Sequence, residues 1–227
     1  MGLTLTALLT LLTTPEAAAQ RTYTPGLSVG GRAGGTLSQM SFSPRVDQGM
    51  TTGFTAGAVV RYAEEKCVGV MGEINIAQRG WKETYDPGMP WSYRRTLTYI
   101  DIPVMTHIFF GPKRFKCFIN LGPEVAFLVG DKISANFDYH TAALPSSPYP
   151  KDRQTDELTL DVSHRIDYGI TAGIGVEWRV TPKHSVLIEG RYYYGLGNVF
   201  PGSKADTFNA SRVTSIELTA GYMFKVK

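Results

Sequence analysis

What most constrains this chain is an alternation of apolar and polar side chains that returns eight times between residues 27 and 226. Neighbouring residues of an extended strand point to opposite faces, so a period of two marks a strand whose faces meet different surroundings. The pattern predicts strands over 27–37, 52–62, 67–79, 95–107, 115–130, 165–179, 185–195 and 213–226. In the first, Leu27, Val29, Ala33 and Leu37 oppose Ser28, Arg32 and Thr36. In the sixth, Tyr168, Ile170, Ala172, Ile174, Val176 and Trp178 oppose Asp167, Thr171, Gly173, Gly175, Glu177 and Arg179. One face is apolar throughout, and the other repeatedly carries ionisable groups.

The connections cover 38–51, 63–66, 80–94, 108–114, 131–164, 180–184 and 196–212, alternately long and short. Antiparallel strands reverse direction each time, so the long connections gather at one end and the short ones at the other, as in outer-membrane barrels. Strands of this length also suit a membrane better than a small sandwich. The expected fold is all-β: an eight-stranded antiparallel up-and-down transmembrane β-barrel, long loops at one end and short turns at the other, apolar face outward. Tyr62, Trp178, Tyr192, Tyr194, Tyr222 and Phe224 fall on that face near strand ends, where a ring meets both hydrocarbon and headgroup. Period two equally describes a water-soluble barrel with its apolar side inward. A soluble periplasmic or secreted barrel binding a small apolar ligand is therefore the alternative. Against it, the polar face favours Glu, Asp, Arg and Gly over the lysine that a solvent face would carry.

Leu3 to Leu12 form a short apolar run, followed by Pro15, Glu16 and Ala17-Ala18-Ala19-Gln20. A membrane-spanning helix needs about 20 apolar residues, so this reads as a signal peptide over 1–19, leaving 20–227 as the barrel domain. The implied location is the outer membrane of a Gram-negative cell. The formal charge is +3 with the basic residues scattered, which argues against a nucleic-acid partner. Four His and two Cys, Cys67 and Cys117, are too dispersed for a metal site. The strand assignment puts the two cysteines on non-neighbouring strands, out of disulfide reach. No cofactor is expected.

The inward ionisable set is Arg32, Arg61, Glu73, Arg79, Asp101, Glu124, Asp167, Glu177, Arg179, Glu189, Arg191 and Glu217. Eight strands enclose a space that side chains can fill, and buried charge persists only when compensated. The set is expected to plug a polar interior with paired charges instead of lining a pore. Catalysis is not expected, because Glu124, Glu189 and Glu217 have no accompanying nucleophile. Ser163-His164 and His184-Ser185 are strand neighbours that point to opposite faces. The Gly-rich first strand lacks the Gly-Lys-Ser/Thr ending of a phosphate loop. The expected partners are membrane lipids and, at the long loops and above all at 131–164, an outer-membrane or cell-surface protein.

Several segments together resemble the PorT-type outer-membrane β-barrel family common in Bacteroidetes, also labelled porin-family barrels. They are Leu27-Ser28-Val29-Gly30-Gly31-Arg32-Ala33-Gly34-Gly35, Gly69-Val70-Met71-Gly72-Glu73-Ile74-Asn75-Ile76 with Gln78-Arg79-Gly80, and Tyr99-Ile100-Asp101-Ile102-Pro103. Phe118-Ile119-Asn120-Leu121-Gly122-Pro123-Glu124 and Arg191-Tyr192-Tyr193-Tyr194-Gly195-Leu196 complete the set. The resemblance implies the barrel fold and carries no catalytic signature. Some members of that family are linked to type IX secretion, so an accessory part in protein secretion at the outer membrane is a further alternative.

Overall fold

The computed structural model describes residues 26–63, 67–150, 153, 155–162, 164–200 and 208–226; the leader read at 1–19 lies outside them. The chain runs β1 (Gly26–Ser43), β2 (Gln48–Gly49), β3 (Thr51–Ala63), β4 (Val68–Glu83), β5 (Tyr93–Phe110), β6 (Phe115–Ala135), α1 (Asp156–Thr159), β7 (Ile166–Arg179), β8 (His184–Gly195) and β9 (Ala210–Lys225). Eight long strands follow one another around an antiparallel ring, β1-β3-β4-β5-β6-β7-β8-β9. Pairing of β9 with β1, Ala33 opposite Ala220 and Gly31 opposite Tyr222, closes it and leaves no free edge. The short β2 only adds Gln48 and Gly49 to the end of β4.

Around the middle of the ring the apolar face points outward. Ile174, Leu218, Ile74 and Ile170 are exposed on that wall, whereas their sequence neighbours Glu217, Glu73 and Thr171 are buried inside. The soluble arrangement, with the apolar side inward around a ligand, is not the one adopted. Among the described residues no helix is long and apolar enough to cross a membrane; the crossing elements are strands.

Five strands run further toward the loop end than the period predicts: β1 to Ser43, β4 to Glu83, β5 from Tyr93, β6 to Ala135 and β9 from Ala210. The alternation continues there with its sense inverted. Met40, Phe42, Trp81, Tyr93, Leu97 and Val213 now point inward and are buried, while Gln39, Ser41, Lys82, Arg94 and Arg212 alternate with them on the outside. On β6 a bulge adds to the change. Tyr99 pairs with Leu128 but Thr98 with Gly130, so Val129 is an extra residue. Before it Glu124, Ala126 and Leu128 share a side with Tyr99 and Asp101; after it that side belongs to Asp131, Ile133 and Ala135.

Pro103 and Pro123 interrupt the wall without shifting its register. Ladder pairs are missing between Gly72/Val104 and Asn75/Asp101, and again between Pro103/Glu124 and Thr106/Leu121. Proline has no N–H to give its neighbour.

Candidate functional site

The middle of the barrel is built from charge. β1 points Arg32 inward and β8 points Glu189 and Arg191; β4 contributes Glu73 and Arg79, β5 Asp101, β6 Glu124 and β9 Glu217, all buried. Arg191 donates to Glu73 through Nη1 to Oε2 and Nη2 to Oε1, both at 2.9 Å. It also reaches Glu189 at 2.9 Å. Arg32 contacts Glu73 at 3.1 Å, Glu189 at 3.4 Å and Glu217 at 2.9 Å. Arg79 Nη2 lies 2.6 Å from Asp101 and 2.5 Å from Glu124, and 3.7 Å from Glu217, which joins the two groups. The flat guanidinium of Arg79 stacks over Tyr193, 4.0 Å from the ring centre, and Tyr193 donates to Asp167 at 2.9 Å. In the ring order β4 and β8 are diametrically opposed, so the Arg191–Glu73 fork spans the full width of the barrel.

Small residues make room for this network. A Cβ on Gly173 would collide with the Glu189 carboxyl, and one on Gly175 with the Phe118 ring. Asn75 and Asn120 donate to Glu73 and Glu189, each at 2.8 Å, and so tie down both acids.

Toward the turn end the interior becomes apolar. Val59, Met71, Met105, Phe109, Phe118, Leu187 and Met223 pack together there. The expectation of a polar interior is corrected here: the polar face of the strands includes a hydrophobic layer. Below it Arg61 bridges to Glu177 at 2.6 Å and 3.1 Å, again between opposed strands, β3 and β7. His107 sits 3.4 Å from Arg61 and 2.7 Å from Asn120. Arg179, like Arg61, is less enclosed than the other predicted interior residues. It is half-buried at the turn-end mouth beside Lys116 and Lys225, because it is the last residue of its strand. The enclosed space between the apolar and charged layers amounts to about 10 Å³.

The loop end is closed by a different means. Met40, Phe42, Trp81, Tyr93, Leu97, Tyr99, Tyr149, Leu158, Phe200 and Phe208 form one core. Phe42 packs edge-on to Trp81 at 5.5 Å and stacks on Phe200 at 6.1 Å. Arg95 forks onto Asp131 at 2.5–3.2 Å and donates to the Leu160 carbonyl at 2.7 Å, fastening α1's exit to the wall. Tyr85 and Tyr149 both donate to Glu83 Oε2, at 3.0 and 2.9 Å. Glu157, fully buried on α1, faces Glu83, and neither of its carboxyl oxygens meets a donor among the described residues. Burial and the neighbouring Glu83 push the Glu157 carboxyl up to about 8. Beside this core lies an open cleft of about 560 Å³ whose lining includes Met40, Arg45, Gln48, Tyr85, Asp86 and Arg153. The cap is absent from the sequence expectations; the inverted alternation in 38–43, 79–83 and 93–97 is the signal that points to it.

The histidines do not converge. His107 is inside, His184 meets the Tyr222 hydroxyl near the turn end, and His140 and His164 lie in 131–164. Ser185 is buried while His184 is only half-buried.

The family model for the outer membrane protein β-barrel domain matches residues 18–201, which takes in β1 through β8. Comparison with curated proteins gives no match. Among solved structures the chain is similar to Neisserial surface protein A, at 16% identity over 89% of this chain and 99% of that one, with a TM-score of 0.45. It is also similar to OprG from Pseudomonas aeruginosa, at 10% identity over 88% and 95%, TM-score 0.49. Similarity to Ail, the attachment invasion locus protein of Yersinia pestis, is 14% over 88% and 99%, TM-score 0.41. With a closed ring, an outward apolar belt and a family match over most of its length, the protein is an outer-membrane protein, and the chain belongs to the outer membrane protein β-barrel domain family.

Proposed function

We propose that this is a non-enzymatic integral outer-membrane barrel, closed to solutes, whose capped loop end faces the cell exterior and serves as an interaction surface for an outer-membrane or cell-surface partner. The observation that carries the reading is the Arg191–Glu73 fork between opposed strands. A solute moving along the axis would have to break it, together with the Arg61–Glu177 bridge and the aromatic cap, and each break exposes an uncompensated buried charge or apolar surface. The cap supports the second half of the reading. Five strands extend beyond the belt to hold a packed core and an open cleft, which a barrel with a purely anchoring role does not need. The segments Leu27–Gly35 and Tyr99–Pro103 lead us to place the chain near PorT-type barrels, with 1–19 as its export signal and no secretion role assigned.

Reconstituted into liposomes and exposed to an osmotic gradient of a small sugar, the protein should produce no swelling above that of empty liposomes. It should also give no stepwise current in a planar bilayer. Steady swelling or discrete conductance steps from the folded protein would show the interior to be open.

A further inference from the structure

Charge is distributed unequally along the barrel axis. At the loop end the described residues include eight cations, Arg45, Lys82, Arg94, Arg95, Lys132, Arg153, Arg165 and Arg212, and eight anions. At the turn end they include Arg61, Lys113, Arg114, Lys116, Arg179, Lys183 and Lys225, against a single acid, Glu177, which Arg61 already holds. Four of these cations, Arg61, Lys116, Arg179 and Lys225, line one shallow opening at that mouth. Lys113, Arg114 and Lys183 stand exposed on the two described turns.

The same end carries an aromatic girdle on its outer wall. Phe110, Phe115, Trp178 and Tyr222 are exposed there, each within a few residues of a cation of the collar. A strand advances about 3.3 Å per residue, and the headgroup zone beyond the hydrocarbon is only about 5–7 Å deep on each side. Side chains two or three residues past the girdle therefore stand at the depth of lipid phosphates. An excess of basic charge among the described residues at that depth, beside rings that anchor at the interface, fits a membrane surface of the opposite sign.

We infer that the turn end is a docking collar for anionic phospholipid headgroups of the inward-facing leaflet. This rests on the reading of the strands as membrane-crossing with the turns facing the periplasm. The collar would hold phosphates by charge from several directions, enrich anionic lipid around the barrel and fix its depth.

Trp178 makes the test direct, because it is exposed at the girdle, whereas Trp81 is buried in the cap and Trp91 packs against Phe137 and Tyr149 at the loop end. The protein is reconstituted into phosphatidylcholine vesicles containing a minor fraction of either brominated phosphatidylglycerol or brominated phosphatidylcholine, and tryptophan quenching is recorded. The expected result is quenching by both lipids, with phosphatidylglycerol several-fold more effective at equal content. High salt should remove that excess. A variant with Lys113→Gln, Arg114→Gln, Lys183→Gln and Lys225→Gln should lose it, while Lys82→Gln, Arg94→Gln, Lys132→Gln and Arg212→Gln at the other end should keep it. Equal quenching by the two lipids in the parent would overturn the collar and leave the basic end to a soluble anionic partner. Absence of quenching by either lipid would instead sink the membrane-crossing reading. The salt comparison on the parent needs no variant, so a folding failure of the quadruple substitution does not blunt the test.

Discussion

The belt and the cap are made from the same strands with opposite manners. Along β1 the outward residues run Leu27, Val29, Ala33 and Leu37 in the belt, then Gln39 and Ser41 in the cap; the inward ones run Ser28, Arg32 and Thr36, then Met40 and Phe42. In the belt hydrocarbon surrounds the wall, so apolar side chains face out and charges retreat inside to find one another. In the cap water surrounds the wall, and the protein returns to the ordinary order with an apolar interior. The level at which the alternation changes sign, just past Leu37 on β1 and near Gln78 on β4, marks the edge of the membrane as recorded in the chain. One backbone architecture thus serves two solvents, and only the phase of the side chains tells which.

Substitutions can break this contrast, most sharply inside the belt. Glu73→Ala removes an acceptor shared by Arg191 and Arg32 and should cost about 3–5 kcal/mol, because two buried guanidiniums each lose one of their counter-charges and keep only the shared Glu189 and, for Arg32, Glu217. Glu73→Leu combined with Arg191→Met should recover most of that loss, since Arg32 retains Glu189 and Glu217. Urea-dependent unfolding from lipid vesicles measures both; a double variant as weak as the single one would refute the pairing account.

A smaller effect belongs to the outer wall. Ile174 is 66% exposed at mid-belt. Ile174→Arg should cost about 2–4 kcal/mol in vesicles, while Thr96→Arg, on the outer face of the cap, should fall within about 0.5 kcal/mol of the parent. Equal penalties at the two sites would mean that the change of phase does not mark the membrane edge.

The smallest effect concerns pH and the cap alone. An opened chain releases the Glu157 proton near 4.5, whereas the closed cap keeps it until about 8. Between those values the closed form binds the extra proton, so opening becomes easier as pH rises through the window and levels off above it. Amide exchange around Leu158, corrected for the intrinsic pH dependence of the exchange chemistry, should report an opening constant that grows over that range, and Glu157→Gln should flatten the corrected dependence. If the variant keeps the parent's pH profile, the buried carboxyl is not the group responsible.

Much of this was legible in the amino-acid order, within limits set by geometry. Inward facing of Glu73, Asp101 and Glu217 follows from parity alone, because hydrocarbon enforces it over many residues. Which charges meet does not follow. Arg191 and Glu73 are 118 residues apart, and their contact depends on ring closure and on relative height along the axis. Parity also fails where Val129 adds one residue to β6, so that 131–135 had the wrong phase to be read as strand. The cap escapes a period-two reading for a related reason: an inverted alternation resembles the end of a pattern unless the solvent is allowed to change.

The two prolines give the barrel wall a direction of weakness. Pro103 offers no N–H to the carbonyl of Glu73 across the β4–β5 seam, and Pro123 none to that of Val104 across β5–β6, so the middle of β5 is held loosely on both flanks. Around β7, β8, β9 and β1 the ladders run unbroken. In mechanical terms the ring is stiff over half its circumference and compliant over a narrow arc. A lateral squeeze from a thicker or more ordered bilayer would therefore flatten the cylinder by bending at β5 instead of deforming evenly, and the cross-lumen fork from Arg191 to Glu73, anchored beside that arc, would act as the strut that limits how far it gives.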